Sequence, residues 1–322
     1  MKHGALRLAR GLLSAAVLLW LAWYLVENRD LLSRALQASA RDLTALTLLI
    51  LATWLFNSLQ VLLFLRLAGL SIGFWENLLL QNATQLGNYV PLRLGTILRF
   101  RYLKVIHGIE YTRLGGIAGM RILLLTTAAG VLGCIGLAAL MRDGSHTIYP
   151  ILWLVFPGMI VAPLVIWMVA ARLEFSADSR FGRLAQLFLS SFSALRAKPG
   201  VALCILALLL AQFLVLALRL QVSFAIVGVE MSAWVLLLLA PTGTLLVFLN
   251  LTPGNLGLRE WVIGALSLAT GYPFADALVA GVVDRAVLMI CVFFFGAISF
   301  PLLLHRLRRA SAAAVEQSAG SH

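Results

Sequence analysis

Long apolar stretches alternate with short polar segments along almost the whole chain. A helix that crosses the hydrocarbon core of a bilayer needs roughly 20 predominantly apolar residues. Six stretches satisfy this length, and we predict a transmembrane helix over each of them: Leu8–Val26, Leu43–Leu65, Leu114–Leu140, Tyr149–Ala171, Val201–Val227 and Ala275–Leu304. Because no long polar block lies between them, residues 1–322 are expected to form a single integral-membrane domain.

Two weaker apolar stretches differ from these, because each runs into a break that contains Pro and Gly. Phe74–Val90 leads into a shorter helical segment at Ile97–His107, and Ala233–Leu251 leads into one at Arg259–Thr270. Pro ends a helix, and Gly permits backbone angles that other residues avoid. We therefore predict two re-entrant hairpins beside the six full helices, in an all-α polytopic membrane protein. The total becomes seven or eight helices when the hairpins are counted as helices.

The two breaks share a pattern, N-x-x-P-x-x-x-G, which occurs at residues 88–95 and again at residues 250–257. The offset between them, 162 residues from position 88 to position 250, also carries Leu43–Leu65 approximately onto Val201–Val227. A motif match inside a repeated hydropathy profile indicates an internal duplication. The predicted division of the chain is two repeat halves, an amphipathic cytoplasmic connector between them and a short basic tail: about 43–171 and 201–304, 172–200, and 305–322.

The formal net charge of +12 comes from basic residues that separate the apolar stretches. They form no continuous stripe, which argues against nucleic-acid binding and favours topology signals and contacts with anionic headgroups. With the N-terminus in the cytoplasm, 17 Lys and Arg residues fall on the cytoplasmic side, five on the outer side and three within spans. The positive-inside rule therefore predicts a multi-pass protein with both termini in the cytoplasm.

This topology inverts one half of the chain relative to the other. Leu43–Leu65 runs from outside to inside and Val201–Val227 runs from inside to outside, so that the two hairpins enter from opposite sides. Inverted-topology repeats are common in transporters, where broken helices meet near the midplane of the bilayer and form the substrate site.

Away from their ends, the apolar spans contain the charged residues Arg121, Arg219, Asp284 and Arg285. An Arg at the centre of a transmembrane helix costs about 2.5–3.5 kcal/mol on insertion scales, and such residues usually face a cavity or a partner. Asp284 is a suitable partner for Arg285 or Arg121, and Glu260 is another. Two interpretations stay open: a phosphate-binding or gating network, and a structural ion pair or an Arg that snorkels to the interface.

The breaks and the basic segment after the first of them also have two interpretations each. Non-helical backbone at membrane depth is tolerated where it is buried in protein or lines a water-filled cavity, which predicts that the breaks line a headgroup path. The alternative is that they are ordinary turns between helices. The basic segment from 93 to 113 is typical of an interfacial helix that holds anionic headgroups, and also of a segment that only fixes topology.

Motifs of catalysis are missing from the sequence, which has no supported Ser/His/Asp order, P-loop, HExxH or dinucleotide fingerprint. Its three cysteines have no metal-site spacing. We therefore expect no enzymatic activity, no cofactor and no metal. An alternative function is that of an intramembrane enzyme that modifies lipids. Glu260 and Asp284 would have to supply its acid/base chemistry.

With these residues in view, the sequence resembles the flippase-like transmembrane region of lysylphosphatidylglycerol synthases, which also occurs as stand-alone inner-membrane proteins. That family typically has N-x-x-P-x-x-x-G-E-x-x-R in its first half, where this chain reads NYVPLRLGTILR from Asn88 to Arg99. In its second half the family has P-G-G-x-G-x-R-E, where this chain reads PGNLGLRE from Pro253 to Glu260. Thr96 departs from the pattern, because an acidic residue is usual there.

The resemblance implies movement of a lipid or lipid-linked headgroup between leaflets of the cell inner membrane. In the synthases a soluble aminoacyl-transfer domain follows this region, whereas this chain ends soon after Arg309. We therefore expect no lysyl transfer by this chain, and a separate transferase chain is a conceivable partner. The other expected partners are membrane lipids with anionic or phosphate-bearing headgroups.

The predicted function is accordingly translocation of a phospholipid or lipid-linked headgroup. The alternative is a non-transporting partner or scaffold for an enzyme that modifies envelope lipids or glycans, which would tolerate substitution of the buried arginines. The residues that we expect to contact the headgroup are Asn88, Pro91, Arg93, Arg99, Arg121, Asn250, Pro253, Gly257, Arg259, Glu260, Asp284 and Arg285.

Overall fold

The computed structural model describes residues 37–89, 94–144, 150–170, 197–245 and 255–319, together with a few single positions outside these ranges. Within these ranges the regular structure consists of nine α-helices. In chain order they are α1 (Ala40–Leu67), α2 (Phe74–Gly87), α3 (Leu94–His107), α4 (Tyr111–Asp143), α5 (Ile151–Ala170), α6 (Pro199–Val227), α7 (Ala233–Leu245), α8 (Leu258–Ala269) and α9 (Phe274–Ala319).

Five of these helices are long and apolar enough to cross a membrane: α1, α4, α5, α6 and α9. They coincide with five of the six predicted spans, and the prediction of an all-α polytopic membrane protein is confirmed. Most of the predicted first helix, Leu8–Val26, and most of the predicted connector, 172–200, lie outside the described residues.

The remaining four helices form two hairpins. Helix α2 packs against α3, and α7 packs against α8, so that each weak apolar stretch folds back on itself after its break. The middle of each break, residues 90–93 and 250–254, lies outside the described residues. Whether the hairpins are re-entrant in the bilayer stays a prediction.

The order of the helices repeats along the chain. A long helix, two hairpin helices and another long helix occur as α1 to α4 and again as α6 to α9. The starts of the second set follow those of the first by 159, 159, 164 and 163 residues, close to the offset of the two break motifs. Helix α5 lies between the two sets in sequence and has no counterpart among the helices that the structure describes.

The residues group into two compact units, each of which contains one hairpin. The first unit comprises Met1–Thr53, Leu125–Ala162 and Leu209–Met289, and it contains α7 and α8. The second unit comprises Trp54–Leu124, Pro163–Leu208 and Ile290–His322, and it contains α2 and α3.

Small residues allow close helix packing in the first unit. A Cβ atom on Gly133 of α4 would lie 1.9 Å from the ring of Phe156 of α5, and a Cβ atom on Gly136 would lie 2.8 Å from the carbonyl oxygen of Trp234 of α7. Van der Waals packing at small residues is a main source of helix association in membranes, where lipid tails are as apolar as leucine.

In the second unit, the α2–α3 hairpin closes at two glycines. A Cβ atom on Gly87 would lie 2.5 Å from the Cα atom of Gly95, and one on Gly95 would lie 2.0 Å from the carbonyl oxygen of Thr84. The open end of the hairpin packs in an apolar cluster with the last part of α9, formed by Leu80, Ala83, Tyr102, Leu103, Ile109, Leu114, Leu303 and Leu307. The closed end thereby places Thr96 and Arg99 at the start of α3.

Candidate functional site

The first unit contains a buried carboxylate held by two arginines. Asp284 of α9 accepts hydrogen bonds from Arg219 of α6, with Nε to Oδ1 at 3.0 Å, Nη2 to Oδ1 at 2.8 Å and Nη2 to Oδ2 at 2.9 Å. Arg259 of α8 approaches the same carboxylate, with Nη1 2.8 Å from Oδ2. The side chains of Arg219 and Asp284 are 3% and 0% exposed, so this is a fully desolvated ion pair.

Glu260 is bound at the start of α8 by the neighbouring break. Its Oε2 accepts a hydrogen bond from the backbone N–H of Gly257 at 2.8 Å, which caps the helix. Gly257 has φ +79°, a conformation that favours glycine. The other oxygen, Oε1, lies 3.6 Å from Nε of Arg285, an ion pair slightly longer than a hydrogen bond. Glu260 therefore serves both as a cap and as a counter-charge.

Helix α7 leaves room for the Arg259 side chain. A Cβ atom added to Gly243 would lie only 2.8 Å from Nε of Arg259. The glycine of one hairpin helix thus lets the arginine of the other pass alongside it and reach Asp284. The hairpin geometry and the ion pair depend on the same two positions.

These five side chains form what we call the neutralised cluster: Arg219, Arg259, Glu260, Asp284 and Arg285. Three guanidinium groups and two carboxylates leave a formal charge of +1. Glu260, which we expected as an alternative partner of Arg285 or Arg121, lies beside Arg285. Asp284, which we expected to neutralise Arg285 or Arg121, instead pairs with Arg219 and Arg259. Consecutive residues of an α-helix point in directions about 100° apart, so that Asp284 and Arg285 face different partners.

The second unit contains two arginines on an amide-rich network. Arg121 of α4 donates a hydrogen bond to Oδ1 of Asn57 of α1. Arg99 of α3 has Nη2 3.5 Å from Oδ1 of Asn77 of α2. Asn77 in turn donates through Nδ2 to Oγ of Ser58 at 2.8 Å and to the Ser58 carbonyl at 3.1 Å. Both arginines are thus tied to consecutive residues of α1, and we call them the arginine pair.

The arginine pair has no described counter-charge. Among the side chains that the structure describes, no carboxylate forms an ion pair with Arg99 or with Arg121. Arg121 lies near enough to Arg99 for the like charges of their guanidinium groups to interact. The arrangement has the chemistry of an anion receptor, because guanidinium groups pair with carboxylate or phosphate oxygens.

The residue that departs from the family pattern, Thr96, lies three residues before Arg99 in α3. Thr96 donates to Oδ1 of Asn88 through its backbone N–H at 3.2 Å and through its hydroxyl at 3.1 Å. Asn88 follows the last residue of α2, so its amide caps α3 and closes the hairpin. Because Thr96 is neutral, it brings no negative charge to the first turn of α3, close in sequence to Arg99.

Four predicted site residues lie outside the described residues, namely Pro91, Arg93, Asn250 and Pro253. The structure brings Arg259, Glu260, Asp284 and Arg285 together with Gly257 in the first unit, and Arg99, Arg121 and Asn88 lie in the second unit.

Arg219, Asn57 and Asn77 were absent from the list of expected headgroup contacts, although each has a direct contact in one of the two clusters. Arg219 was recognised only as a charge within a span, and Asn57 could have been found from it, because the 162-residue offset carries Asn57 onto Arg219. The bond from Arg121 to Asn57 joins α4 and α1, and the bond from Arg219 to Asp284 joins their repeat counterparts, α6 and α9.

A second polar group lies at the open end of the α2–α3 hairpin. Oε1 of Glu76 accepts a hydrogen bond from the Tyr102 hydroxyl at 2.7 Å and lies 3.0 Å from Nε2 of His107. Burial alone would raise the pKa of Glu76, but the hydrogen bonds from Tyr102 and His107 and the charge of Arg306 outweigh it and hold this pKa below its ordinary value. Burial and the bond to Glu76 raise the pKa of Tyr102 to about 12.

This group predicts an acid-sensitive contribution to stability. Because the Glu76 pKa is lower in the folded protein, its contribution is complete above the ordinary value of 4.5 and is lost as the pH falls through the folded value. We expect the unfolding temperature of the detergent-solubilised protein to fall less in Glu76→Gln than in the wild type when the pH is lowered below about 4.5. The exposed Glu110→Gln is the matched control, and a Glu76→Gln curve that parallels the wild type would contradict the assignment.

Fold and site together define a multi-pass helical membrane protein with a buried charged cluster beside one helical hairpin and two half-buried arginines beside the other. The chain matches the family described as the lysylphosphatidylglycerol synthase TM region over residues 8–296, and it belongs to that family. The predicted resemblance is thereby confirmed, and membership associates the protein with membrane lipids. Comparison with curated proteins and comparison with solved structures each found no match.

Proposed function

We propose that the protein moves a phospholipid or lipid-linked headgroup between the leaflets of a membrane. The observation that supports this most is the presence, in each unit, of arginines next to a helical hairpin: Arg219 is buried in the first unit, and Arg99 and Arg121 are half-buried in the second. Charged groups within membrane proteins are costly and usually mark a substrate or ion path. In a family associated with membrane lipids, a phosphate-bearing headgroup is the substrate that suits buried guanidinium groups.

In the proposed mechanism the headgroup enters along the hairpins while its acyl chains stay in the bilayer. The arginine pair and the neutralised cluster would replace the water that the phosphate loses. The proposal includes the inverted repeat with both termini in the cytoplasm and a location in the cell inner membrane. It assigns no catalytic chemistry to this chain, so any lysyl transfer would belong to a separate transferase chain.

Replacement of Arg285 tests this proposal. We expect Arg285→Ala to insert and fold but to lose at least about tenfold in transbilayer lipid movement, because a charge-assisted contact is worth about 1.5–3 kcal/mol. The measurement uses purified protein in liposomes with headgroup-labelled phospholipid and a membrane-impermeant quencher. Arg142→Ala, at an exposed position near the end of α4, is the matched control and is expected to behave as the wild type.

Two results would count against the proposal. Lipid movement by Arg285→Ala at the wild-type rate would remove Arg285 from the path. Tolerance of alanine at all of the buried arginines would favour the scaffold alternative, in which these side chains hold helices together and a partner enzyme does the chemistry.

A further inference from the structure

We propose that Arg99 and Arg121 form a binding site for a dianionic phosphate monoester, such as the terminal phosphate of a lipid. This inference deepens the proposed function, on which it rests for the access of a lipid headgroup to the hairpin. It follows from a difference in charge between the two units and from the way in which the two guanidinium groups are held.

The charge difference arises at positions that correspond in the two repeats. Arg121 follows the start of α4 by ten residues, and Asp284 follows the start of α9 by ten residues. The first unit therefore has a carboxylate where the second has a guanidinium group. Glu260, the third residue of α8, adds a second carboxylate to the neutralised cluster, whereas the third residue of α3 is the neutral Thr96. The arginine pair thus has a formal charge of +2 and no described carboxylate partner.

The hydrogen bonds of the pair leave donors for a ligand. A guanidinium group has five N–H donors in a planar fork. Within the described residues each of the two groups has one hydrogen-bond partner, the amide oxygen of Asn57 or of Asn77. These amides orient the two guanidinium groups without neutralising their positive charge. The remaining donors suit the oxygens of a phosphate, which arginine binds in bidentate fashion.

The charge of a phosphate ligand determines how well it balances the charge of the arginine pair. A phosphate monoester has a charge of about −1.5 to −2 at pH 7, because its second pKa is about 6. A phosphodiester headgroup brings one negative charge, and a zwitterionic headgroup also brings a cation that the arginine pair repels. A monoester is therefore the class of phosphate whose charge balances the pair.

The experiment measures equilibrium binding to the full-length protein in detergent. The probes are dioctanoyl phosphatidate, dioctanoyl phosphatidylglycerol and dioctanoyl phosphatidylcholine, which share their acyl chains and differ in the headgroup. We expect phosphatidate to bind at least about tenfold more tightly than the other two, with an affinity that rises as the pH increases through about 6. Arg99→Gln and Arg121→Gln should each remove this preference. Arg66→Gln and Arg142→Gln, at exposed positions of α1 and α4, are the matched controls.

Equal binding of the three lipids by the wild type overturns the inference. Because this comparison uses the wild type alone, it tests the inference even where a variant does not fold. A phosphatidate preference that survives both Arg99→Gln and Arg121→Gln also overturns it. Competition by glycerol 3-phosphate would support the monoester chemistry and show that the site accepts the phosphate from water. Phosphatidate binding without competition by glycerol 3-phosphate would support a lipid as the source.

Failure of this inference differs from failure of the proposed function. Lipid movement in liposomes without a phosphatidate preference would overturn the site assignment and leave translocation standing. A phosphatidate preference that depends on the two arginines, in a protein that moves no lipid, would support the site and contradict translocation.

Discussion

Asp284→Asn is expected to lower the free energy of unfolding by about 3 to 5 kcal/mol, which is the usual cost of removing one partner from a buried ion pair. The carboxylate is fully buried and accepts bonds from Arg219 and Arg259. An amide in its place leaves two guanidinium groups close together in a desolvated site. Unfolding in mixed micelles, followed by circular dichroism as denaturing detergent is titrated, measures the difference.

Asp143→Asn, at the exposed end of α4, is the control for the loss of one carboxylate, and we expect it to change stability by less than about 0.5 kcal/mol. A double-mutant cycle with Arg219→Gln sharpens the test, because removal of both partners should cost less than the sum of the single changes. Additive effects of the two substitutions would show that Arg219 and Asp284 do not stabilise each other.

Gly95→Ala is expected to open the α2–α3 hairpin. The new Cβ atom would lie 2.0 Å from the carbonyl oxygen of Thr84 and 2.8 Å from its carbon, and both are backbone atoms. The clash is therefore relieved only by moving one helix of the hairpin away from the other. We expect a loss of about 3 kcal/mol, at the upper end of the overpacking range, against a gain in helix propensity of at most about 1 kcal/mol. Lipid movement should fall with it, because the hairpin positions Arg99.

Gly115→Ala is the matched control, since a Cβ atom on this glycine of α4 meets nothing within 4 Å. It should retain the wild-type unfolding midpoint and lipid movement, or gain slightly in stability. Wild-type stability and transport in Gly95→Ala would show that the two helices of the hairpin have room to separate.

The sequence predicted the long helices and hairpins closely, because both signals are local. Length of the apolar stretch identifies a span, and the Pro- and Gly-containing breaks identify the turn of each hairpin. The ends of the hairpin helices were predicted less accurately. Helix α2 ends at Gly87 instead of Val90, and α3 begins at Leu94 instead of Ile97. Asn88 explains the second difference, because its side chain caps α3 from across the turn and lets the helix start earlier.

The partners within the site were harder to predict, because they depend on how helices rotate about their axes. Hydropathy identified Asp284 and Arg285 as charges within a span, but it did not indicate which neighbouring helix each one faces. Asp284 faces α6 and α8, and Arg285 faces the cap of α8. Asn57 was missed for another reason, since a single amide in a long apolar helix resembles an ordinary substitution until its repeat counterpart, Arg219, is compared with it.

The neutralised cluster and the arginine pair differ in the counter-charge that they contain, which indicates different roles for them. The neutralised cluster supplies most of its own counter-charge, which suits a group that holds α6, α8 and α9 in place. The arginine pair has amide partners, and the residue three positions before Arg99 is the neutral Thr96. This arrangement suits a site that binds an anion. Substitution of Asp284 or Arg219, whose ion pair is fully buried, is therefore expected to act mainly on stability, and substitution of Arg99 or Arg121 mainly on headgroup binding. Arg285, whose contact with Glu260 is longer at 3.6 Å, is expected to affect lipid movement more than stability.

The most direct test of lipid translocation is the fraction of headgroup label that the wild-type protein exposes to an impermeant quencher in liposomes. A phosphate-monoester, an anionic diester and a zwitterionic lipid are compared, with and without a membrane potential. We predict quenching well beyond that of protein-free liposomes, greatest with the monoester lipid and reduced in Arg285→Ala. Quenching equal to that of protein-free liposomes, for all three lipids and with the potential applied, would contradict the account.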